Sequence, residues 1–395
     1  MDNGKSTLIG RLLLDSKAIF KNQLEDIKVD IETDDLNLAF LTDGLKRERE
    51  EGITIDVAYR YFTTPARKFI VADSPGHFEF TRNMVTGSST ANAALVLIDA
   101  GNGINEQIKR HTIISSLLGI PHIIVCINKM DIIDFDEKSY SVIKEEFKEF
   151  AAKLNFVDIQ FIPISALKGD NVVNRSSNMN WYLGPTLIYI LENLYISGDR
   201  DLINCRFPVQ MVIENDNNQY LTGTIAGGVF KTGDKIKVLP QGHESFIKEL
   251  KTGNQEVKEA YPPQAVSMIL NDKINIRRGD MVVRSENSPQ SGNVIDAMIC
   301  WFDNTKNLKT ENTYIIKHTS KEIDCKIIEV KYKININTLH RDFQYENISA
   351  NDIARIVIKT DENLFFDPYY KNKATGSFIL IDKESNYTVA GGMIR

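Results

Sequence analysis

The sequence predicts an α/β domain on a doubly wound, mostly parallel sheet, followed by two antiparallel β-barrel domains. Two observations carry this. In the first half, short continuous apolar runs alternate with helical patterns, which is how strands covered on both faces by helices read. From Cys205 onward, short β-runs are divided by Gly, Asn and Pro at regular spacing, the pattern of small antiparallel barrels. The expected boundaries are 1–200, 201–292 and 293–395. A chain of 395 residues, 42% apolar and 25% charged, accommodates three such cores in a soluble globular protein. A net charge of −6 weighs against a general nucleic-acid or anionic-membrane surface. The cysteines (Cys126, Cys205, Cys300 and Cys325) are scattered without C-x-x-C spacing, which favours reduced, buried thiols. There is no charged n-region with an apolar h-region and no apolar stretch of membrane-spanning length, so a cytoplasmic location is expected.

Taken in order, Leu8 to Leu14 has helix-forming composition, and Lys17 to Lys28 spaces apolar residues in a charged background. The densely charged Asp43 to Glu51 precedes Gly52-Ile53-Thr54-Ile55, and Val57 to Phe62 alternates as a strand. Lys68 to Asp73, Ala93 to Asp99, His122 to Ile127 and Ile159 to Ile164 are apolar strands. Between and after them, Ile104 to Leu118, Tyr140 to Leu154 and Leu187 to Leu194 read as helices. In the second half, Phe207 to Ile213, Lys235 to Leu239, Met281 to Arg284, Met298 to Phe302, Tyr314 to His318, Asp324 to Tyr332 and Phe378 to Asp382 read as strands. Turn pairs at Gly233-Asp234 and Gly279-Asp280 precede two of them.

In doubly wound sheets, ligand groups collect at the carboxyl ends of strands, and every polar cluster of the first half lies at such an end. Gly4-Lys5-Ser6 is the end of a phosphate-binding loop, G-x-x-x-x-G-K-[ST]. Asp2, Asn3, Gly4, Lys5, Ser6 and Thr7 are therefore candidate phosphate contacts, with Lys5 reaching the β/γ-phosphates and Ser6 joining the shell of a Mg²⁺ ion. The first glycine of the motif and the strand that launches it fall upstream of Met1, so the sheet is expected to lack its first strand. Asp73, Ser74, Pro75, Gly76 and His77 form a turn in which Asp73 holds Mg²⁺ through water, Gly76 faces the γ-phosphate and His77 orients the attacking water. Thr54 supplies a second hydroxyl to Mg²⁺, ordering its loop only when γ-phosphate is present.

Asn128, Lys129, Met130 and Asp131 fit N-K-x-D. A carboxylate at Asp131 accepts the ring N–H and exocyclic amine of guanine, a donor pair that adenine lacks. Ser165, Ala166 and Leu167 stand at the next strand end. Together these are the five elements of a GTP-hydrolysing switch, which works by positioning and charge neutralisation. Lys5, Thr54 and His77 are its candidate catalytic residues, and Ser6, Thr54 and Asp73 its candidate metal contacts. The barrels show no catalytic constellation.

With these motifs and two barrels, the chain resembles the translational-factor class of GTPases. Within it, the chain is similar to the sulfate adenylyltransferase subunit 1 family, the large GTPase subunit of ATP sulfurylase. The resemblance is carried by Ala58-Tyr59-Arg60-Tyr61-Phe62, Phe80 to Gly87, Ser165 to Val172, Asn178 to Thr186, Thr375 to Asp382 and Gly391-Gly392-Met393-Ile394. It implies a heteromer whose small catalytic subunit handles ATP and sulfate, with neither nucleic acid nor membrane as partner. The GTPase subunit then couples GTP hydrolysis to formation of adenosine 5′-phosphosulfate and pyrophosphate. A fused adenylylsulfate kinase domain, present in some members, is not expected. Two alternatives stand beside this: an elongation factor-like GTPase, and an N-terminally truncated remnant that no longer binds GTP.

Overall fold

The computed structural model describes residues 3–16, 38, 56–196, 201–215 and 218–395. The chain divides into two compact units, Met1–Ile196 with Asn335–His340, and Ser197–Ile334 with Arg341–Arg395. The expected helix over Lys17 to Lys28 and the charged run from Asp43 to Glu51 lie outside the described residues, as do Asp2 and Thr54.

In the first unit, α1 (Lys5–Asp15) buries Leu8, Ile9, Leu12 and Leu13. Spacings of three and four residues place these on one broad stripe. Leu8 and Leu12 pack with Ile124, Cys126, Ile162 and Ile164, while Ile9 and Leu13 pack with Phe62. β1 (Ala58–Thr63) and β2 (Lys68–Asp73) form an antiparallel ribbon in which Phe62 and Phe69 are partners, with rings stacked at 4.6 Å. After a 3₁₀ turn at Phe78–Phe80 and the short α2 (Thr81–Ser88), the chain enters β3 (Ala93–Asp99).

α3 (Glu106–Leu117) joins β3 to β4 (His122–Asn128), and α4 (Glu137–Ala151) joins β4 to β5 (Asp158–Pro163). Strands β3, β4 and β5 are parallel in that order. Residues 123–128 of β4 are all buried, which explains the unbroken apolar run there. α4 starts three residues before the apolar periodicity does, because the Asp136 carboxylate accepts from Ser139 N at 2.8 Å and caps it. The last helix, α5 (Leu187–Asn193), buries Leu187, Ile190 and Leu191. The expected single sheet is divided: no described strand joins β2 to β3, so the ribbon and the parallel sheet are separate.

Among the described residues the second unit is all-β apart from one helical turn, Lys373–Gly376. β6 (Arg206–Pro208), β7 (Met211–Asn215), β8 (Asn218–Thr224), β9 (Phe230–Lys231), β10 (Lys235–Leu239) and β11 (His243–Thr252) come first. β12 (Gln255–Val257), β13 (Glu259–Ala260), β14 (Ala265–Leu270) and β15 (Met281–Arg284) follow. They build an antiparallel sheet ordered β6-β15-β10-β11-β14-β8-β7, with β12 on β11 and a separate β9–β13 pair. β6 and β7 do not pair, so this sheet is a half-barrel around Phe207, Leu221, Phe230, Ile236 and Met268.

The remaining strands are β16 (Gln290–Trp301), β17 (Thr313–His318), β18 (Lys321–Ile334), β19 (Arg341–Asp342), β20 (Ile353–Phe366), β21 (Ser377–Asp382) and β22 (Thr388–Ile394). They run in the order β17-β21-β22-β16-β20-β18-β19, and pairing of β17 with β18 closes a barrel. Trp301 and Tyr314 meet edge-on inside it, with ring centroids 6.0 Å apart. Within this unit a buried ion pair ties β6 to the segment after β20. Arg206 is 2% exposed and donates from Nε and Nη2 to Asp367 at 2.8 and 2.9 Å. Its Nη1 donates to Cys205 O, Asn287 O and Asn287 Oδ1. All four cysteines are buried free thiols.

Candidate functional site

The amino end of α1 is set by Gly4, which has φ 81° and ψ 28°. A Cβ at this position would lie 2.4 Å from Asn128 Nδ2. The left-handed backbone and the close approach both call for glycine. The amino end of a helix carries partial positive charge that attracts anions, and residues Gly4 to Thr7 lie at that end of α1.

Lys5 turns toward the end of β2. Its Nζ donates to Ser74 O at 2.6 Å and lies 3.2 Å from Asp73 Oδ1, on a carboxylate only 3% exposed. Beyond it, Pro75 is buried while Gly76 and His77 are exposed. His77 O accepts from Phe80 N at 3.0 Å, which starts the 3₁₀ turn, and the His77 and Phe80 ring centroids are 6.4 Å apart. The imidazole therefore stands at the solvent side of the strand end that holds Asp73 and Lys5.

Asn128 joins the other elements. It ends β4, is 1% exposed, and donates from Nδ2 to Asn3 O at 2.9 Å. Its Oδ1 accepts from Ala166 N at 2.9 Å. One amide thus holds the segment before α1 and the segment after β5 against the end of β4. Asn3 Nδ2 donates in turn to Leu97 O of β3 at 3.2 Å. Arg11, nearly two helical turns into α1, donates from Nε to Ala166 O at 3.2 Å and from Nη2 to Leu167 O.

The residues after Asn128 divide by direction. Met130 is completely buried in the core and its N donates to Ile164 O, so its side chain has no surface for a ligand. Lys129 takes φ 62° and places Nζ 2.9 Å from Asp99 Oδ2. Asp131 is half-buried, and its carboxylate makes no hydrogen bond or ion pair among the described residues. Ser165 is buried and its Oγ accepts from Lys168 N at 3.2 Å, which shapes the turn carrying Ala166 and Leu167.

The structure therefore brings Asn3, Gly4, Lys5, Asp73, Ser74, Asn128, Ser165 and Ala166 into one connected set. Ser6 and Thr7 are half-buried on the first turn of α1. Asp99 and Arg11 belong to this neighbourhood and were not singled out by the motifs. The end of an apolar strand was a signal for Asp99, whereas nothing local marked Arg11. His111 of α3 is another such residue. Burial, then the charges of Lys5 and Arg110, lower its pKa to about 4, and its Nε2 is enclosed without a hydrogen bond among the described residues.

The start of α1 thus stands beside an acid–lysine pair, with the half-buried Asp131 carboxylate after a neighbouring strand end. Residues 1–203 match the family of elongation factor Tu GTP binding domains, and residues 294–395 match the GTP-eEF1A C-terminal domain-like family. The chain is a P-loop GTPase of the elongation-factor type. It is 45% identical over 401 residues to sulfate adenylyltransferase subunit 1 of Bacteroides fragilis, covering all of this chain and 84% of that protein. It is 47% identical over 402 residues to the subunit 1 of Aliarcobacter butzleri, covering 85% of that protein. The same identity over 402 residues relates it to the bifunctional enzyme CysN/CysC of Mycobacterium tuberculosis, of which it spans 66%. This chain belongs to the sulfate adenylyltransferase subunit 1 family. Its fold is similar to that of the S. cerevisiae Ski7 GTPase-like domain bound to GTP, with a TM-score of 0.53 at 19% identity, covering 100% of this chain and 95% of that one.

Proposed function

We propose that this chain is the GTP-hydrolysing subunit of a heteromeric sulfate adenylyltransferase. It couples GTP hydrolysis to formation of adenosine 5′-phosphosulfate and pyrophosphate from ATP and sulfate, which the small catalytic subunit handles. What supports this most is the joining of three strand ends and the start of α1 through Asn128 and Lys5, in a chain similar from end to end to subunit 1 proteins. The elongation-factor alternative has no comparable support over the whole chain.

Lys5 neutralises the β- and γ-phosphates, and Asp2, Asn3, Gly4, Ser6 and Thr7 are the other phosphate contacts of this reading. Ser6 and Thr54 offer hydroxyls to Mg²⁺, and Asp73 holds the ion's water. These are hard oxygen donors of the kind Mg²⁺ takes while keeping several waters. Mg²⁺ supplies charge neutralisation on the phosphate oxygens. His77 orients the attacking water and Gly76 faces the γ-phosphate, on the turn that Ser74 and Pro75 begin. Asp131 accepts the guanine donor pair, and Asn128, Lys129, Ser165, Ala166 and Leu167 build the wall of the base site.

The domain divisions we propose are 1–200, 201–292 and 293–395. Among the described residues no helix is long and apolar enough to cross a membrane. We place the complex in the cytoplasm, where its nucleotide substrates are supplied. The deciding experiment co-purifies the full chain with a cognate small subunit and measures adenosine 5′-phosphosulfate with and without GTP. GTP-dependent stimulation is expected, and its absence refutes the proposal. Asp131→Asn is expected to shift preference from guanine toward xanthine nucleotides, and unchanged GTP preference refutes the base-reading role.

A further inference from the structure

Asp99 closes β3, and the nucleotide chemistry above leaves it without a task. Its side chain is 4% exposed, yet both oxygens are engaged. Oδ1 accepts from Gly101 N at 2.9 Å, and Oδ2 accepts from Asn102 Nδ2 at 3.0 Å and from Lys129 Nζ at 2.9 Å. Burial raises its pKa, but Lys129, the Gly101 amide and Asn102 outweigh burial and hold it below the ordinary carboxylate value. The parallel register sets Asp99 opposite Asn128. A fixed anion therefore stands beside the residue that immediately precedes Lys129.

Lys129 has a competing partner close at hand. A lysine ammonium on a flexible four-carbon stem takes whichever anion it can reach. Asp131 lies two residues on, and its carboxylate makes no hydrogen bond or ion pair among the described residues. Once paired with Lys129, that carboxylate would have to shed an ammonium before it could accept hydrogen bonds from a base. A half-exposed ion pair between Lys129 and Asp131 would be weak, so a better-held competitor is enough to keep the lysine away. Asp99, buried and oriented by two further donors, is that competitor.

We propose that Asp99 is a positioning residue of the base site: by holding the Lys129 ammonium at 2.9 Å, it keeps the Asp131 carboxylate unpaired for the two N–H donors of guanine. This rests on Asp131 reading guanine as proposed above. The class of ligand it tunes is the guanine nucleotide, at the base and not at the phosphates.

The test compares GDP with inosine diphosphate, which lacks the exocyclic amine and so offers Asp131 one donor in place of two. Affinities of the full chain are measured by titration with fluorescent analogues of both. Asp99→Asn keeps the size and removes the charge. GDP affinity should fall roughly threefold to fivefold, the most that a half-exposed competing ion pair can take, with inosine diphosphate losing less. In a Lys129→Met background, where no ammonium remains to compete, adding Asp99→Asn should change nothing further. Asp99→Glu, which retains the charge, should keep most of the preference for GDP, and it serves as the deciding variant if Asp99→Asn does not fold. Parallel losses for both nucleotides, an Asp99→Asn effect that persists without Lys129, or an Asp99→Glu variant without GDP preference would each overturn the positioning role. Wild-type protein without a preference for GDP would overturn the base-reading role of Asp131 itself.

Discussion

Removing the Asn128 amide should break the site into two loosely related halves. Asn128→Ala deletes a donor to Asn3 O and an acceptor for Ala166 N, both at 2.9 Å. The Ala166 bond is buried and the Asn3 bond partly so. An orphaned buried group costs about 1–3 kcal/mol and a lost bond to a partly wet group about 1 kcal/mol, so the loss should be about 2–4 kcal/mol. Asn128→Asp keeps an acceptor for Ala166 N but buries a charge and sets a second oxygen against Asn3 O, so it should be at least as destabilised as alanine. Urea unfolding, followed by near-UV circular dichroism, gives the stability of each variant, and fluorescent nucleotide titration gives the affinity. GTP and GDP affinities should fall together, because the broken ties lie on the base side and at the start of α1. An Asn128→Ala protein with wild-type stability and wild-type affinity would refute the bridging role.

Three more outcomes are expected. His77→Ala should slow GTP hydrolysis on the order of 100-fold while leaving GTP affinity unchanged, and equal losses in both would contradict water positioning. Arg206→Met should destabilise the second unit by about 3–5 kcal/mol in urea unfolding, because it strands the Asp367 carboxylate, and adding Asp367→Leu should recover part of that loss. His111 has a folded pKa of about 4 against an ordinary 6.5, so the unfolded chain binds the extra proton between those values. Its contribution is complete above pH 6.5 and is lost as pH falls toward 4; His111→Gln should flatten this slope in denaturation midpoints measured across that window.

The parallel strands were legible because a strand buried on both faces cannot avoid being apolar along its length, as β4 is. Their ends were legible because polar groups interrupt such runs only where the sheet stops. Pairings across the sheet were not, since Asp99 and Lys129 come together only through the register that sets Asp99 beside Asn128. Arg11 was equally silent: an arginine on a helix surface reads as solvated until the loop it reaches is known. The barrel strands were only partly legible: β18 extends beyond Asp324 to Tyr332 at both ends, and β20 was not singled out. Both run 14 residues, and their exposed positions, such as Glu322 and Lys326 on one and Lys359 and Asp361 on the other, break the apolar pattern without breaking the ladder. The two bulges where β18 pairs with β20 also shift the alternation that marks a strand.

The site has two sides that must answer different questions. Asn128, Asp131 and the Asp99–Lys129 pair lie on the side proposed for the base, which is the same in GTP and GDP. Interactions identical in two states shift nothing between them. Discrimination between the nucleotides therefore has to come from the phosphate side, where the third phosphate would arrive: Lys5, Asp73, the Ser74 to His77 turn and the proposed Mg²⁺ contact Thr54. Lys5 already holds Ser74 O at 2.6 Å and Asp73 at 3.2 Å, so a phosphate that draws the ammonium away competes directly with the bond anchoring that turn. Lys5→Met should accordingly lower GTP affinity more than GDP affinity, whereas Asn128→Ala lowers both alike. Equal losses from Lys5→Met, measured in the same titrations, would remove Lys5 from the group that senses the γ-phosphate.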